Sequence, residues 1–240
     1  HIVFNKDDLI LNKSLKNKSK SIPFSINTED KCFYKLNSSK VYSGNKENPN
    51  ILFKLNDTKL KGIHNIQNIL AAATIAKVYG LDQSAIKNTI INFNPIPHRL
   101  EWIGKINGAN YINDSKATNI EAAKAAIQSF DRNIILILGG QDKGDTDFSV
   151  LKPIIKNRIN EIITYGESGQ KIKHMLDKNF KISFFNKFEH AIYNANLKSK
   201  NGDTILLSPA CASYDQFQNY EERGETFIKL FKKMELDVEK

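Results

Sequence analysis

The run NIILILGG, residues 133–140, decides the fold class. Five apolar residues follow one another without a polar partner and stop at two glycines. A strand with no alternation has no face to offer water, so this one is expected to be covered on both sides. EIITYG (161–166), KISFF (181–185) and DTILLS (203–208) repeat the plan. Helix-length segments lie between these strands: about 119–130, KIKHMLDK (171–178) and KFEHAIYNANLKS (187–199). A final helix is expected to carry Phe217, Tyr220, Gly224, Phe227 and Leu230 at helical spacing. Such alternation predicts an α/β fold with a mostly parallel sheet and helices on both faces. Just ahead of it, RLEWIGKINGANYIND (99–114) reads as a hairpin turning about Asn107-Gly108-Ala109-Asn110.

Upstream the texture changes. IVF (2–4), SIPFSI (21–26), KCFYKL (31–36) and NILFKL (50–55) are strand-like and separated by polar clusters. GIHNIQNILAAATIAKVYGL (62–81) is an amphipathic helix with a stripe of Ile63, Ile66, Ile69, Leu70, Ala73, Ala76 and Val78, and Gly80 as its stop. A second helix is expected over 83–92. Pro95 and Pro97 then break the helical pattern and mark a domain boundary, giving domains 1–96 and 97–240.

The chain has 240 residues, 40% of them hydrophobic, enough for one large domain or two small ones. No apolar run approaches the ~18–20 residues of a membrane helix, so no membrane insertion is expected. The start, HIVFNKDDLI, has no leader-like apolar stretch and no initiator Met, so the chain reads as an engineered piece, a processed product or part of a longer protein. Two cysteines, Cys32 and Cys211, make a disulfide scaffold unexpected and a cytoplasmic location the default. Net charge is +9, which suits anionic partners. However, NKSLKNKSKS (12–21) mixes Lys with Asn and Ser and has no aromatics, so it reads as a solvated loop rather than a nucleic-acid patch. His64, His98, His174 and His190 are too scattered to form a metal set.

In open α/β sheets ligands bind beyond the carboxyl ends of the strands, and four such ends carry polar loops. INDSKATN (112–119) brings Asp114, Lys116, Thr118 and Asn119 together before a helix. Thr118 or Asn119 can cap that helix, whereas an acid, a base and a hydroxyl at a helix start suit an anionic ligand. LGGQDKGDTDF (138–148) projects Lys143 from a glycine-turned loop that is not a phosphate-binding P-loop. YGESGQKI (165–172) reads as a turn and a helix cap. LLSPACASYDQFQNYEERGETF (206–227) passes from a strand through small residues to Ser213, read as a helix cap that can still donate its hydroxyl. Asp215 is expected near that helix start, where it would favour the dipole. Phe217 and Phe227 are read as core, and Cys211 lacks a nearby His to activate it. His98 and Arg99 follow the proline hinge, where a cation can meet a phosphate.

HNIQNILAAATIA, PHRLEWIG, YINDSKATN, LGGQDKG and LSPACASYDQFQNYEERGETF occur in the order found in Mur ligases. From about residue 60 to its end the chain resembles that family, and its D-glutamate-adding branch most. The resemblance implies a C-terminal Rossmann-like domain preceded by the tail of a second α/β domain of ATPase type. It implies an ATP-dependent peptide ligase of peptidoglycan precursor synthesis, cytoplasmic and monomeric, with UDP-MurNAc-L-alanine, D-glutamate and ATP as small-molecule substrates. ATP would phosphorylate the nucleotide's carboxylate, and the amine of D-glutamate would attack the acyl phosphate. In the family pattern Thr118, Lys143, Ser213, Tyr214 and Tyr220 face D-glutamate, with Tyr220 standing where a Phe is expected. Asn68, His98, Arg99, Asp114 and Lys116 face ATP, and Lys143, Arg99 and Lys116 carry the catalysis; whether the Lys116 side chain meets the nucleotide or only organises its loop stays open. The P-loop and the Mg2+ ligands are expected upstream of residue 1, with no metal ligands in this chain, which alone is then expected to be inactive. Two alternatives stay open: a Mur-type ligase for another amino acid, and a non-catalytic nucleotide- or anion-binding module.

Overall fold

The apolar runs are strands, and the two parts of the chain use them differently. The computed structural model describes residues 1–27, 34–37, 40–43, 50–60, 62–176 and 180–238. They form two units, His1–Pro95 and Ile96–Lys240.

In the first unit β1 (Ile2–Asn5) and β2 (Ser21–Phe24) pair in parallel across α1 (Leu9–Leu15). β3 (Tyr34–Asn37), β4 (Lys40–Ser43) and β5 (Asn50–Lys54) form an antiparallel meander. The helices α2 (Ile63–Val78) and α3 (Gln83–Asn92) follow. Ile66, Ile69, Leu70 and Ala73 of α2 pack with Phe24, Val41, Leu52, Phe53, Ile86 and Ile90, so the expected stripe is present. Its first member, Ile63, is exposed. α1 corrects the expectation of a loop over 12–21. Asp8 caps it by accepting from the amides of Ile10 and Leu11, each at 2.9 Å. The helix buries no residue; Leu9, Ile10 and Leu11 are exposed, so no apolar face of it is packed into a core. Residues 31–33 of the expected strand, and 177–178 of the expected helix KIKHMLDK, lie outside the described residues.

The second unit opens with the hairpin of β6 (Glu101–Ile106) and β7 (Ala109–Asn113). Its turn is only Asn107-Gly108, both left-handed at φ 49° and 79°, the geometry a two-residue hairpin needs to match the strand twist. Ala109 and Asn110 already belong to β7. The chain continues as α4 (Ile120–Gln128), β8 (Ile134–Gly139), a 3-10 turn (Phe148–Leu151) leading into α5 (Lys152–Ile155), and β9 (Ile159–Tyr165). It ends with α6 (Gly169–Leu176), β10 (Ile182–Phe185), α7 (Phe188–Lys198), β11 (Thr204–Ala210) and α8 (Tyr220–Val238). The sheet order is β10-β9-β8-β11-β7-β6, parallel except for β6.

Both faces are covered, as the unbroken apolar runs require. Ile134, Leu136 and Leu138 of β8 pack with Ala123 and Ile127 of α4, Leu151, Ile155 and Ile172. Ile135 and Ile137 pack on the other face with Phe188 and Ile192 of α7 and Phe227, Phe231 and Met234 of α8. Two details differ from expectation. β11 runs on through Ser208-Pro209 to Ala210, and α8 starts only at Tyr220, so Phe217 precedes the helix. Among the described residues no helix is long and apolar enough to cross a membrane.

Candidate functional site

β11 lies between β7 and β8, so the loops leaving these three strands adjoin at the carboxyl edge of the sheet. The rim begins with the segment entering β6. His98 and Leu100 both have left-handed backbones, φ 61° and 45°, a conformation costing about 1–3 kcal/mol each unless surroundings enforce it. Here they do. The His98 amide donates to Glu101 Oε2 at 2.9 Å and the Leu100 amide to Asp114 Oδ1 at 3.2 Å. Asn113 Oδ1 accepts from the Ser115 amide at 3.2 Å, so its Nδ2 is the group that donates to His98 Nδ1 at 2.9 Å. A neutral His98 ring then carries its proton on Nε2, which faces Glu225 at 3.7 Å. Gly224 leaves no room for a Cβ against this ring. The result is a pinned segment with His98 buried and Arg99 exposed.

Asp114 follows β7 and is 7% exposed. Its Oδ2 accepts from the Ser208 hydroxyl at 2.8 Å, tying β7 to β11. Burial pushes its carboxyl up to about 7, against the opposing pull of the Ser208 hydroxyl, the Leu100 amide, Arg99 and Arg223. Asp114 is thus a bond within the rim, with both oxygens engaged by the protein. The Lys116 amide donates to the His98 carbonyl at 3.0 Å. Its ammonium lies 3.8 Å from the centre of the Tyr220 ring, a cation–π arrangement. Thr118 is half-buried beside it in sequence, and Asn119, not Thr118, caps α4 by accepting from Ala122 N at 2.9 Å.

The loop after β8 behaves differently. Gly139 and Gly140 have φ of 142° and 121°, and a Cβ on them would strike the carbonyls of Tyr165 and Ala212. Beyond them Gln141 and Ala212 exchange backbone hydrogen bonds of 2.8 and 3.0 Å, joining this loop to the one after β11. Asp142 accepts from the Thr146 hydroxyl and from Lys171 Nζ of α6, both at 2.6 Å. Although partial burial opposes it, these bonds hold the Asp142 carboxyl below the usual range. Lys143, at the tip, is exposed.

The segment after β11 carries the largest revision. Ser213 is buried and does not cap α8; its carbonyl accepts from Gln216 N and Phe217 N at 3.2 and 2.9 Å, closing a turn well before the helix. Tyr214 is 64% exposed. Asp215 is not at a helix start either. Its Oδ2 accepts from the Glu167 amide at 3.1 Å, in the turn between β9 and α6. Gln216 accepts from the Phe188 amide at 3.1 Å and donates to the Asn186 carbonyl at 3.0 Å, in the turn between β10 and α7. The Cys211 thiol is buried, which pushes it up to about 12, so no thiolate forms near neutral pH.

The structure therefore brings His98, Asp114, Lys116 and Tyr220 together through stated contacts, leaves Arg99 exposed next to His98 in the chain, and sets Ser213 and Tyr214 on the neighbouring loop. Asn68 is an exposed residue of α2 in the first unit. Sequence reasoning missed Arg223, a wholly buried arginine of α8 whose partners are Ser115, Tyr165, Cys211 and Ala212. The signal was present: Arg223, Phe227 and Phe231 stand four residues apart on the buried face.

Residues 98–211 match the family model described as the Mur ligase, glutamate ligase domain. The UDP-N-acetylmuramoylalanine–D-glutamate ligase of Acidobacterium capsulatum is 40% identical over 179 residues, 75% of this chain and 39% of that protein. The protein of the same name from Bacillus cytotoxicus is 38% identical over 237 residues, 97% of this chain and 51% of that protein. The structure of a pseudomurein peptide ligase type C from Methanothermus fervidus covers 97% of this chain and 56% of its own at TM-score 0.70 and 18% identity, a shared fold. The chain spans 39% and 51% of the lengths of these two curated relatives. With its parallel sheet, its polar rim and this match over residues 98–211, the second unit carries a C-terminal domain of the Mur ligase family.

Proposed function

We propose that the chain is part of an ATP-dependent ligase that adds D-glutamate to UDP-MurNAc-L-alanine in peptidoglycan precursor synthesis. Residues 1–96 are then the C-terminal part of its ATP-binding central domain and 97–240 its C-terminal domain. The observation that carries this reading is the rim itself: cations, hydroxyls and an aromatic ring gather where β7, β8 and β11 end, on a chain similar to D-glutamate ligases over most of its length. Arg99 is exposed and Lys116 half-buried, and two cations suit a polyphosphate. His98 and Asp114 are turned inward, so their part in nucleotide binding is to hold Arg99 and Lys116 in place. ATP supplies the phosphoryl group that activates the acceptor carboxylate. D-glutamate has two carboxylates, and Lys143, Thr118, Ser213, Tyr214 and Tyr220 are the groups proposed to receive it. Lys143 and Tyr214 are exposed, whereas Thr118 is half-buried and Ser213 buried. Asn68 of the first unit is likewise proposed to bind ATP, and Mg2+ is proposed to be held by residues outside this chain. Cys211 is a free thiol, which suits a reducing cytoplasm, and the protein is proposed to act there as a monomer.

The test is ADP release by the full-length protein supplied with ATP, UDP-MurNAc-L-alanine and one amino acid at a time. Turnover is expected with D-glutamate and not with L-glutamate, L-lysine or L-alanine. Equal use of L-glutamate, or preference for another amino acid, would reject the assignment. The 240-residue chain alone is expected to release no ADP.

A further inference from the structure

Arg223 has no exposed surface. Its Nε donates to Ser115 Oγ at 2.9 Å and its Nη2 to the Ser115 carbonyl at 2.8 Å. Both terminal nitrogens reach the Cys211 carbonyl at 3.2 Å, and Nη1 reaches the Ala212 carbonyl and the Tyr165 hydroxyl at 3.3 Å. Every one of these acceptors is neutral. Burying a charge without a counter-ion is costly, and an apolar side chain would fill the space at less cost. What an apolar side chain cannot do is set a distance. A guanidinium presents its N–H groups in one rigid plane, and here that plane joins two separate backbone segments. One segment leads directly into Lys116 and Thr118, the other into Ser213 and Tyr214. Ser115 Oγ also donates to the Tyr220 carbonyl at 2.8 Å, so the start of α8 is fastened to the same point.

We propose that Arg223 is a positioning residue that fixes the separation of the loops after β7 and β11, and so builds the amino-acid site that spans them. The kinetic half of this inference rests on the D-glutamate reading; the clasp itself rests on the geometry alone. The segment His98–Leu100, assigned to the nucleotide, is pinned by Asn113, Glu101 and Asp114, none of which Arg223 holds by a hydrogen bond. Of the two cations assigned to the nucleotide, the clasped segment carries only Lys116, whose amide is also held by the His98 carbonyl, so loss of the clasp should weaken the amino acid more than the nucleotide.

The experiment uses the full-length protein with Arg223→Lys, which keeps the charge and loses the fork, and Tyr165→Phe, which removes one acceptor outside both loops. Amide hydrogen exchange reads the loops, and steady-state kinetics read the KM of D-glutamate and of ATP. In Arg223→Lys, exchange over 115–118 and 211–214 is expected to accelerate together, with the KM of D-glutamate up about tenfold and that of ATP within about twofold. Tyr165→Phe should leave all of these within about twofold. Acceleration in one loop only, or an equal rise of both KM values, overturns the proposal. If Arg223→Lys does not fold, Ser115→Ala decides: a rise of about threefold in the KM of D-glutamate alone supports the clasp, and no change refutes it. A wild-type protein that ignores D-glutamate rejects the functional reading, and the exchange data then judge the clasp by themselves.

Discussion

Two loops leave the carboxyl edge of one sheet, and they treat their polar groups in opposite ways. After β7, Asp114 is bonded to Ser208 and Leu100, and Lys116 lies over the Tyr220 ring. After β8, the loop is closed through Asp142, Thr146 and Lys171, and its lysine, Lys143, is exposed. The first loop uses its charges to build the rim. The second builds itself from other residues and presents its charge outward. Similar residue types at equivalent strand ends therefore divide into framework and ligand-facing groups, and burial separates the two.

The largest effect is expected at Gly140, where the loop after β8 meets the one after β11. Its φ of 121° is closed to L side chains, and a Cβ would strike the Ala212 carbonyl. Gly140→Ala is expected to destabilise the protein by about 3 kcal/mol or more, read by denaturant unfolding; a loss below about 1 kcal/mol would mean the junction is soft. Next in size is Lys143→Ala. As an outward group it should cost about a hundredfold in kcat/KM for D-glutamate while moving unfolding by less than about 0.5 kcal/mol. A large stability loss with normal kinetics would place Lys143 in the framework instead.

Asp114 sharpens the contrast through pH. Its carboxyl stands at about 7 in the fold, against about 3.9 in an unfolded chain. Between those values the folded protein holds a proton that the unfolded chain releases, so this group's contribution to stability falls as pH rises through that window. Asp114→Asn can keep the bond from the Leu100 amide on its Oδ1 and reverse the other, its Nδ2 donating to the Ser208 hydroxyl, without titrating. The variant should therefore gain on the wild type from pH 5 to about pH 7 and level off above it in thermal unfolding, whereas parallel profiles would show that Asp114 titrates normally. The smallest effect is expected from Tyr220→Phe, which keeps the ring beneath Lys116: under about twofold in the KM of ATP and of D-glutamate. A larger change would assign the phenol oxygen a ligand.

Much of the second unit was legible because its strands are covered on both faces. NIILILGG has no polar alternation, and β8 is buried at all six positions. Asn107-Gly108 announced its hairpin for a stereochemical reason, since both residues tolerate a left-handed backbone. β11 was read too short because Pro209 lacks the N–H that a ladder requires. The structure accommodates it at a shift of register between Leu207 and Ala210, beside Gly139 of β8. α1 went unread because it is held by a cap and not by a core. In the site, residue type and strand-end position were legible, but direction was not. Asp215 is bonded into the framework, and Arg223, standing among Glu221, Glu222 and Glu225, drew no expectation from the sequence.

Asp215 and Gln216 give the rim a further property. Through Glu167, Asn186 and Phe188 they attach the segment after β11 to the turns after β9 and β10. With Asp114 bonded to Ser208 and Gln141 paired to Ala212, the ends of all five parallel strands form one connected piece. Ordering a loose backbone costs about 1–2 kcal/mol per residue, and here that cost falls on folding, before any ligand arrives. A small amino acid with few atoms to contribute can then bind a rim it does not have to organise.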